Sequence, residues 1–108
     1  MNKKKRKIYI SLPISGYDLE ERKELAMQTE VKLRSRGYDV FNPLGDKWES
    51  GLTTQDYMKR DLKALLECDT IIFMTGFNKS AGCHTELCVA MACGMDIWFE
   101  DLQEKERI

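Results

Sequence analysis

Thr70-Ile71-Ile72-Phe73-Met74 is an unbroken apolar run, bounded by Asp69 before it and by the polar stretch Thr75 to Ser80 after it. Alternation with polar side chains would describe a strand with one wet face, whereas a continuous run describes a strand buried on both. Such strands belong to parallel sheets, whose crossover connections lay helices over each side. The flanking segments fit that demand. Upstream, Met58, Leu62, Leu65 and Leu66 follow the i, i+4, i+7, i+8 spacing of one buried helix face, and Thr53 or Thr54 can cap that helix. Downstream, a helix starts near Ser80 or Ala81 and ends at Gly94, with Leu87, Ala90, Met91 and Gly94 on one side. Met95 to Phe99 then gives a last strand.

The same alternation extends to the beginning of the chain. Ile8-Tyr-Ile-Ser-Leu12 is short, apolar and β-rich, and the turn formers Pro13 to Gly16 close it. Asp18 with Glu21 three residues later forms a capping pair for a helix that runs to Arg36, with Gly37 at the usual stop. Its apolar stripe (Leu19, Leu25, Ala26, Leu33) is uneven. Tyr38 to Phe41 is the second strand, ended by Asn42-Pro43. Residues 44–53 carry Gly45, Asp46, Trp48 and Gly51 without periodicity, a loop long enough to serve as a lid.

The order β-α-β-α-β-α-β predicts a single α/β domain over residues 1–108. Its expected form is a doubly wound, flavodoxin- or Rossmann-like parallel sheet of four strands in order 2-1-3-4, with helices on both faces and right-handed crossovers. Ligands of such sheets bind outside the carboxyl ends of the strands, where the winding reverses. Here that rim is built from Leu12 to Tyr17, Asn42 to Thr53 and Thr75 to Cys83.

Composition narrows the function classes. The chain has 108 residues, 43% hydrophobic and 32% charged, which suits one globular domain. A net charge of −1 provides no field for a nucleic-acid polymer or an anionic membrane, and no stretch approaches the roughly 20 apolar residues that span a bilayer. Residues 1–7 resemble the basic head of a signal peptide, but the apolar run behind them stops at Pro13, Ser15 and Gly16. A solvated, flexible terminus and a cytoplasmic protein are therefore expected. Cys83, Cys88 and Cys93 recur every five residues, roughly 500° of helical rotation per step, so they splay rather than converge. With Cys68 elsewhere, His84 the single histidine and no Cys-x-x-Cys pair, we expect reduced thiols, no metal and no cofactor.

Three features meet at the predicted rim, and each carries two readings. The loop Pro13-Ile-Ser-Gly-Tyr17 presents a hydroxyl and backbone amides at a helix start, suited to an anion such as phosphate, or it is a plain strand-to-helix turn. Glu86, in or just past the first turn of the third helix, is a positioned carboxylate able to attack an electrophilic sugar carbon, or an ordinary acid near a helix start. Asp61 shares a helix side with Tyr57 and either meets a ligand or pairs with a cation from a neighbouring element. Its own neighbours Arg60 and Lys63, one and two positions away, fall on other sides of an ideal helix.

Taken together, Lys7-Ile-Tyr-Ile-Ser-Leu-Pro-Ile-Ser-Gly16, Asp61-Leu-x-x-Leu-x-x-Cys-Asp69 and Ser80-x-Gly-x-x-x-Glu86-Leu, with Ala90 and Gly94 beyond, resemble the nucleoside 2-deoxyribosyltransferase superfamily and its deoxynucleoside monophosphate N-glycosidases. The resemblance spans Lys7 to Phe99. It implies that Glu86 is the nucleophile toward the anomeric carbon, that Tyr9 orients it, and that Asp61 contacts the sugar or helps protonate the leaving base. It further implies that Ser80 stands near a phosphate, that Ser15 and Gly16 line the phosphate end, and that Ser11, Pro13, Asn42 and Gly82 complete the substrate contacts. Homodimers or larger assemblies are the family habit. Departures are visible too: Cys88 stands where a glycine is frequent, and Cys83-His84-Thr85 are not the usual intervening residues. The chain also stops soon after the fourth strand, where a fifth strand often completes the pocket.

The expected activity is cleavage or exchange of the N-glycosidic bond of a deoxynucleoside or its 5′-monophosphate. The alternative is a nucleotide or sugar-phosphate binder that kept the fold without the chemistry. A third use, docking of a protein partner through an exposed Trp48 loop, stands behind both.

Overall fold

A computed structural model describes residues 5–46 and 48–100. Most of the expected basic terminus (residues 1–4) and nearly all of the charged tail expected to be a short helix or loose (residues 101–108) lie outside the described residues. The elements are β1 (Lys7–Ser11), α1 (Leu19–Ser35), β2 (Asp39–Phe41), α2 (Thr54–Leu65), β3 (Thr70–Phe73), α3 (Ala81–Ala92) and β4 (Asp96–Phe99), with a 3-10 turn at Phe77–Lys79. Parallel pairing gives one sheet in the order β2-β1-β3-β4. The winding reverses between β1 and β3, so the carboxyl ends of these two strands open the crevice that doubly wound sheets use.

Each helix begins where a side chain satisfies an orphan amide. Asp18 accepts from the Glu21 amide, and Ser80 accepts from the Cys83 amide. Thr53 and Asp56 form a reciprocal capping box on α2. Gly37, at φ +90°, follows the end of α1 in the left-handed region that side chains avoid.

The period of two along β1 sorts its side chains to opposite faces. Ile8 and Ile10 join Ala26 and Leu33 of α1, together with Val40, Ile72 and Met74, in one cluster. Tyr9 packs on the other face with Ile71 and Phe73 of β3, Leu65 of α2, and Cys83 and Ala90 of α3. Thus α1 covers one face while α2 and α3 cover the other, which is what right-handed crossovers in this order require.

Three helix faces differ from the sequence pattern. The buried side of α1 is Arg22, Ala26, Thr29 and Leu33, while Leu19 and Leu25 pack only at its margin. The Thr29 hydroxyl reaches Met74 Sδ at 3.9 Å and Glu100 Oε2 at 3.4 Å, so polar groups fill positions expected to be aliphatic. Leu66, expected in the buried face of α2, is 62% exposed, because the helix ends at Leu65 and the chain turns away. Met91, expected in the buried face of α3, is 65% exposed; the face that packs contains Cys83, Glu86 and Ala90. A buried carboxylate in place of a buried methionine is the first mark of a site.

Candidate active site

Tyr9 and Ser11 project from β1 toward α3 because positions of equal parity share a sheet face. Glu86, six residues into α3 and therefore past its first turn, projects back at them and is 6% exposed. Tyr9 Oη donates to Glu86 Oε2 at 2.5 Å, and Ser11 Oγ donates to Glu86 Oε1 at 2.7 Å. Tyr9 is itself held by a stacked Phe41 ring at 5.4 Å. Burial pushes the Glu86 carboxyl up to about 7, against the two hydroxyl donors that favour its charged form. Burial and the Glu86 charge together hold the Tyr9 phenol well above its ordinary range, so it stays a donor. An oxygen that accepts one hydrogen bond keeps a second lone pair, which leaves this carboxylate able to bond an electrophile.

These groups form one wall of a cavity of about 550 Å³ at the carboxyl ends of the strands. Asp61 lies on the same cavity from α2, with Tyr57 one turn before it. Burial raises the Asp61 carboxyl above its ordinary value, and Arg60 opposes that shift. Arg60 Nε donates to Asp61 Oδ1 at 2.9 Å, with Nη2 at 2.8 Å from the same oxygen. The expectation that a residue one position away cannot share its side fails here. The long guanidinium stem folds along the helix, and the 100° that separates adjacent Cβ atoms is bridged by side-chain length.

The remaining expected contacts divide. Pro13, Ser15, Ser80 and Gly82 line the cavity, and Ser11 reaches it through its bond to Glu86. Gly16 does not line it; at φ +86° it supplies the tight turn between Ile14 and Tyr17. Asn42 is also outside the lining. Its Nδ2 donates to Glu30 Oε1 at 3.0 Å and its Oδ1 accepts from the Leu44 amide at 2.9 Å, so it shapes the loop start and ties it to α1.

The aromatic wall was not legible in the sequence. Trp48, set in a loop without periodicity, is half-buried and stacks on Tyr57 at 4.9 Å with an interplanar angle of 1°. Both rings line the cavity, as do Tyr17, Lys79 and the thiol-bearing Cys83. The loop is thus part of the cavity wall, in keeping with its expected place at the rim, and Trp48 is half-buried there rather than exposed. The available signals were the i, i+4 relation of Tyr57 to Asp61 and the place of the Trp48 segment on the expected rim.

The four cysteines are free thiols; Cys83 is buried, Cys68 is partly covered, and Cys88 and Cys93 are exposed. Among the described residues no cluster of ligand side chains suits a metal ion, and no helix is long and apolar enough to cross a membrane.

Residues 6–99 match the family model described as Domain of unknown function (DUF4406), and the chain belongs to that family. No curated protein matches the chain. Among solved structures it is similar to the CMP N-glycosidase BcmB of Clostridium botulinum, with a TM-score of 0.62 and 22% identity over 87% of this chain and 70% of that one. At that identity the likeness establishes a shared fold.

Proposed function

We propose that this protein cleaves the N-glycosidic bond of a nucleoside 5′-monophosphate or its deoxy counterpart, with Glu86 as the nucleophile. The observation that carries the proposal is the buried Glu86 carboxylate, held at a cavity wall by Tyr9 and Ser11 at 2.5 and 2.7 Å. A carboxylate buried this deeply is costly to the fold and is retained where its charge has a use. The fold shared with a CMP N-glycosidase supports the same reading.

In the first step a Glu86 oxygen bonds to the anomeric carbon as the bond to the base breaks. The departing electron pair goes to the base nitrogen, which takes a proton from Asp61 or from water that Asp61 orients. Water then attacks the same carbon and gives its proton to Asp61, the sugar–glutamate ester breaks, and the carboxylate returns to its hydroxyl donors. Tyr9 and Ser11 fix the approach angle, while Trp48 and Tyr57 give the base a flat surface. Ser15, Ser80 and Lys79 are polar groups on the lining able to meet a phosphate.

Incubation with ribo- and deoxynucleoside monophosphates, CMP first, followed by chromatography of free base, tests the proposal. Base release by the wild type and its loss in Glu86→Gln are expected. Calorimetric binding without base release would instead favour the binder that lacks chemistry, and release unaffected by Glu86→Gln would remove the glutamate mechanism.

A further inference from the structure

Between β2 and α2 the described residues of the loop belong to no strand and make only the turn bonds Gly45 to Asn42 and Trp48 to Gly45, so side chains largely decide where it lies. Asn42 ties its start to α1, Leu44 packs into the core, and several further anchors converge on one group. Arg60 Nη2 donates to the Pro43 carbonyl at 3.0 Å, at the entry of the loop. The same guanidinium lies 5.5 Å from the Tyr57 ring centroid and 5.9 Å from that of Trp48. Its edge meets Asp61 Oδ1 at 2.8 to 2.9 Å. Tyr57 in turn donates to the Glu49 carbonyl at 2.7 Å, and Lys23 of α1 lies 5.6 Å from the centroid of the Trp48 ring.

We infer that Arg60 is a positioning residue that fastens the β2–α2 loop, with its Trp48–Tyr57 wall, to the Asp61 carboxylate of the cavity. A planar fork with several fixed donors can hold a carbonyl and a carboxylate at its edge and lie against aromatic rings at once; an ammonium cannot satisfy that geometry. The coupling is reciprocal. Displacing the loop frees the guanidinium that partners a carboxylate 13% exposed from its contacts with Pro43 and Trp48, and altering that carboxylate loosens the guanidinium that holds the loop. Its catalytic meaning, closure of the base side of the pocket together with placement of Asp61, rests on the glycosidase reading. The coupling itself does not.

The test needs no substrate. In a Trp98→Phe background, Trp48 is the remaining tryptophan, because the chain has two. Trp98 lies on β4 beside Tyr38 and Arg6, away from the cavity lining. Acrylamide quenching of Trp48 fluorescence is expected to rise roughly twofold in Arg60→Met, as a half-buried ring is released toward solvent. Arg60→Lys is expected to raise it as well, since a lysine keeps the charge near Asp61 but not the bond to Pro43. Asp61→Asn should raise quenching when Arg60 is present and add nothing in the Arg60→Met background. Quenching unchanged by both Arg60 substitutions, or an Asp61→Asn increment equal with and without Arg60, would overturn the inference. Far-UV circular dichroism identifies any variant that does not fold, and Arg60→Lys then carries the comparison. A wild type that releases no base would defeat the glycosidase reading and leave these quenching results to decide the coupling.

Discussion

Tyr9 Oη lies 2.5 Å from Glu86 Oε2, across 77 residues of sequence, and both side chains are buried. A hydroxyl donating to a carboxylate favours its charged form, while the surrounding burial disfavours it. Glu86 therefore sits near neutrality, at about 7. Base release is expected to rise with pH through that value as the nucleophile ionises. Tyr9→Phe removes the donor, so the acid limb of the pH profile should move up by roughly one unit, in line with charge-assisted hydrogen bonds of ~1.5–3 kcal/mol. A profile that does not move would sever Tyr9 from the carboxylate.

The same shift predicts a stability cost. The folded value of about 7 exceeds the ordinary 4.5, so the acid form is the one the fold prefers. The penalty is absent below pH 4.5, grows between 4.5 and about 7, and is complete above that. Its full size is of order 3 kcal/mol. Glu86→Gln should accordingly raise the thermal midpoint at pH 8 by several degrees and change it little at pH 4, by differential scanning calorimetry. Equal effects at both pH values would contradict a buried, ionising carboxylate.

Two helix caps separate stability from binding. Ser80 caps α3 and lines the cavity, whereas Thr53 caps α2 and does not line it. Ser80→Ala and Thr53→Ala should each cost about 1 kcal/mol in urea unfolding. Only Ser80→Ala is expected to weaken nucleoside monophosphate binding in calorimetry. Equal affinities for the two variants would remove Ser80 from the binding surface.

Thiol labelling reads the packing of α3. Cys88 and Cys93 are exposed, while Cys83 is 2% exposed and burial pushes its thiol up. Cys68 is partly covered and pushed up to about 11. At pH 8 two thiols should react promptly with an aromatic disulfide reagent and two slowly, since the thiolate is the reactive form. A nucleoside monophosphate that fills the cavity should slow Cys83 further without affecting Cys88. Prompt labelling of Cys83 in the free protein would mean that α3 does not pack as described.

The sequence alone determined the strands, their order and the starts of the helices. Thr70 to Met74 announced burial on both faces, because an unbroken apolar run leaves neither side of an extended strand for water. Asp18, Thr53 and Ser80 marked helix starts because capping is satisfied within three residues. Tertiary structure decided the rest. Helix rotation is set by what packs against it, so Arg22 and Thr29 went inward, Leu66 and Met91 went outward, and Glu86 was turned onto β1 rather than to solvent. An aperiodic loop has no local rule for its path, so Trp48 could be placed only once Tyr57 and Arg60 stood beside it. Contacts among positions 9, 11, 60, 61 and 86 exist because the sheet brings distant segments together, and no spacing along the chain encodes those distances.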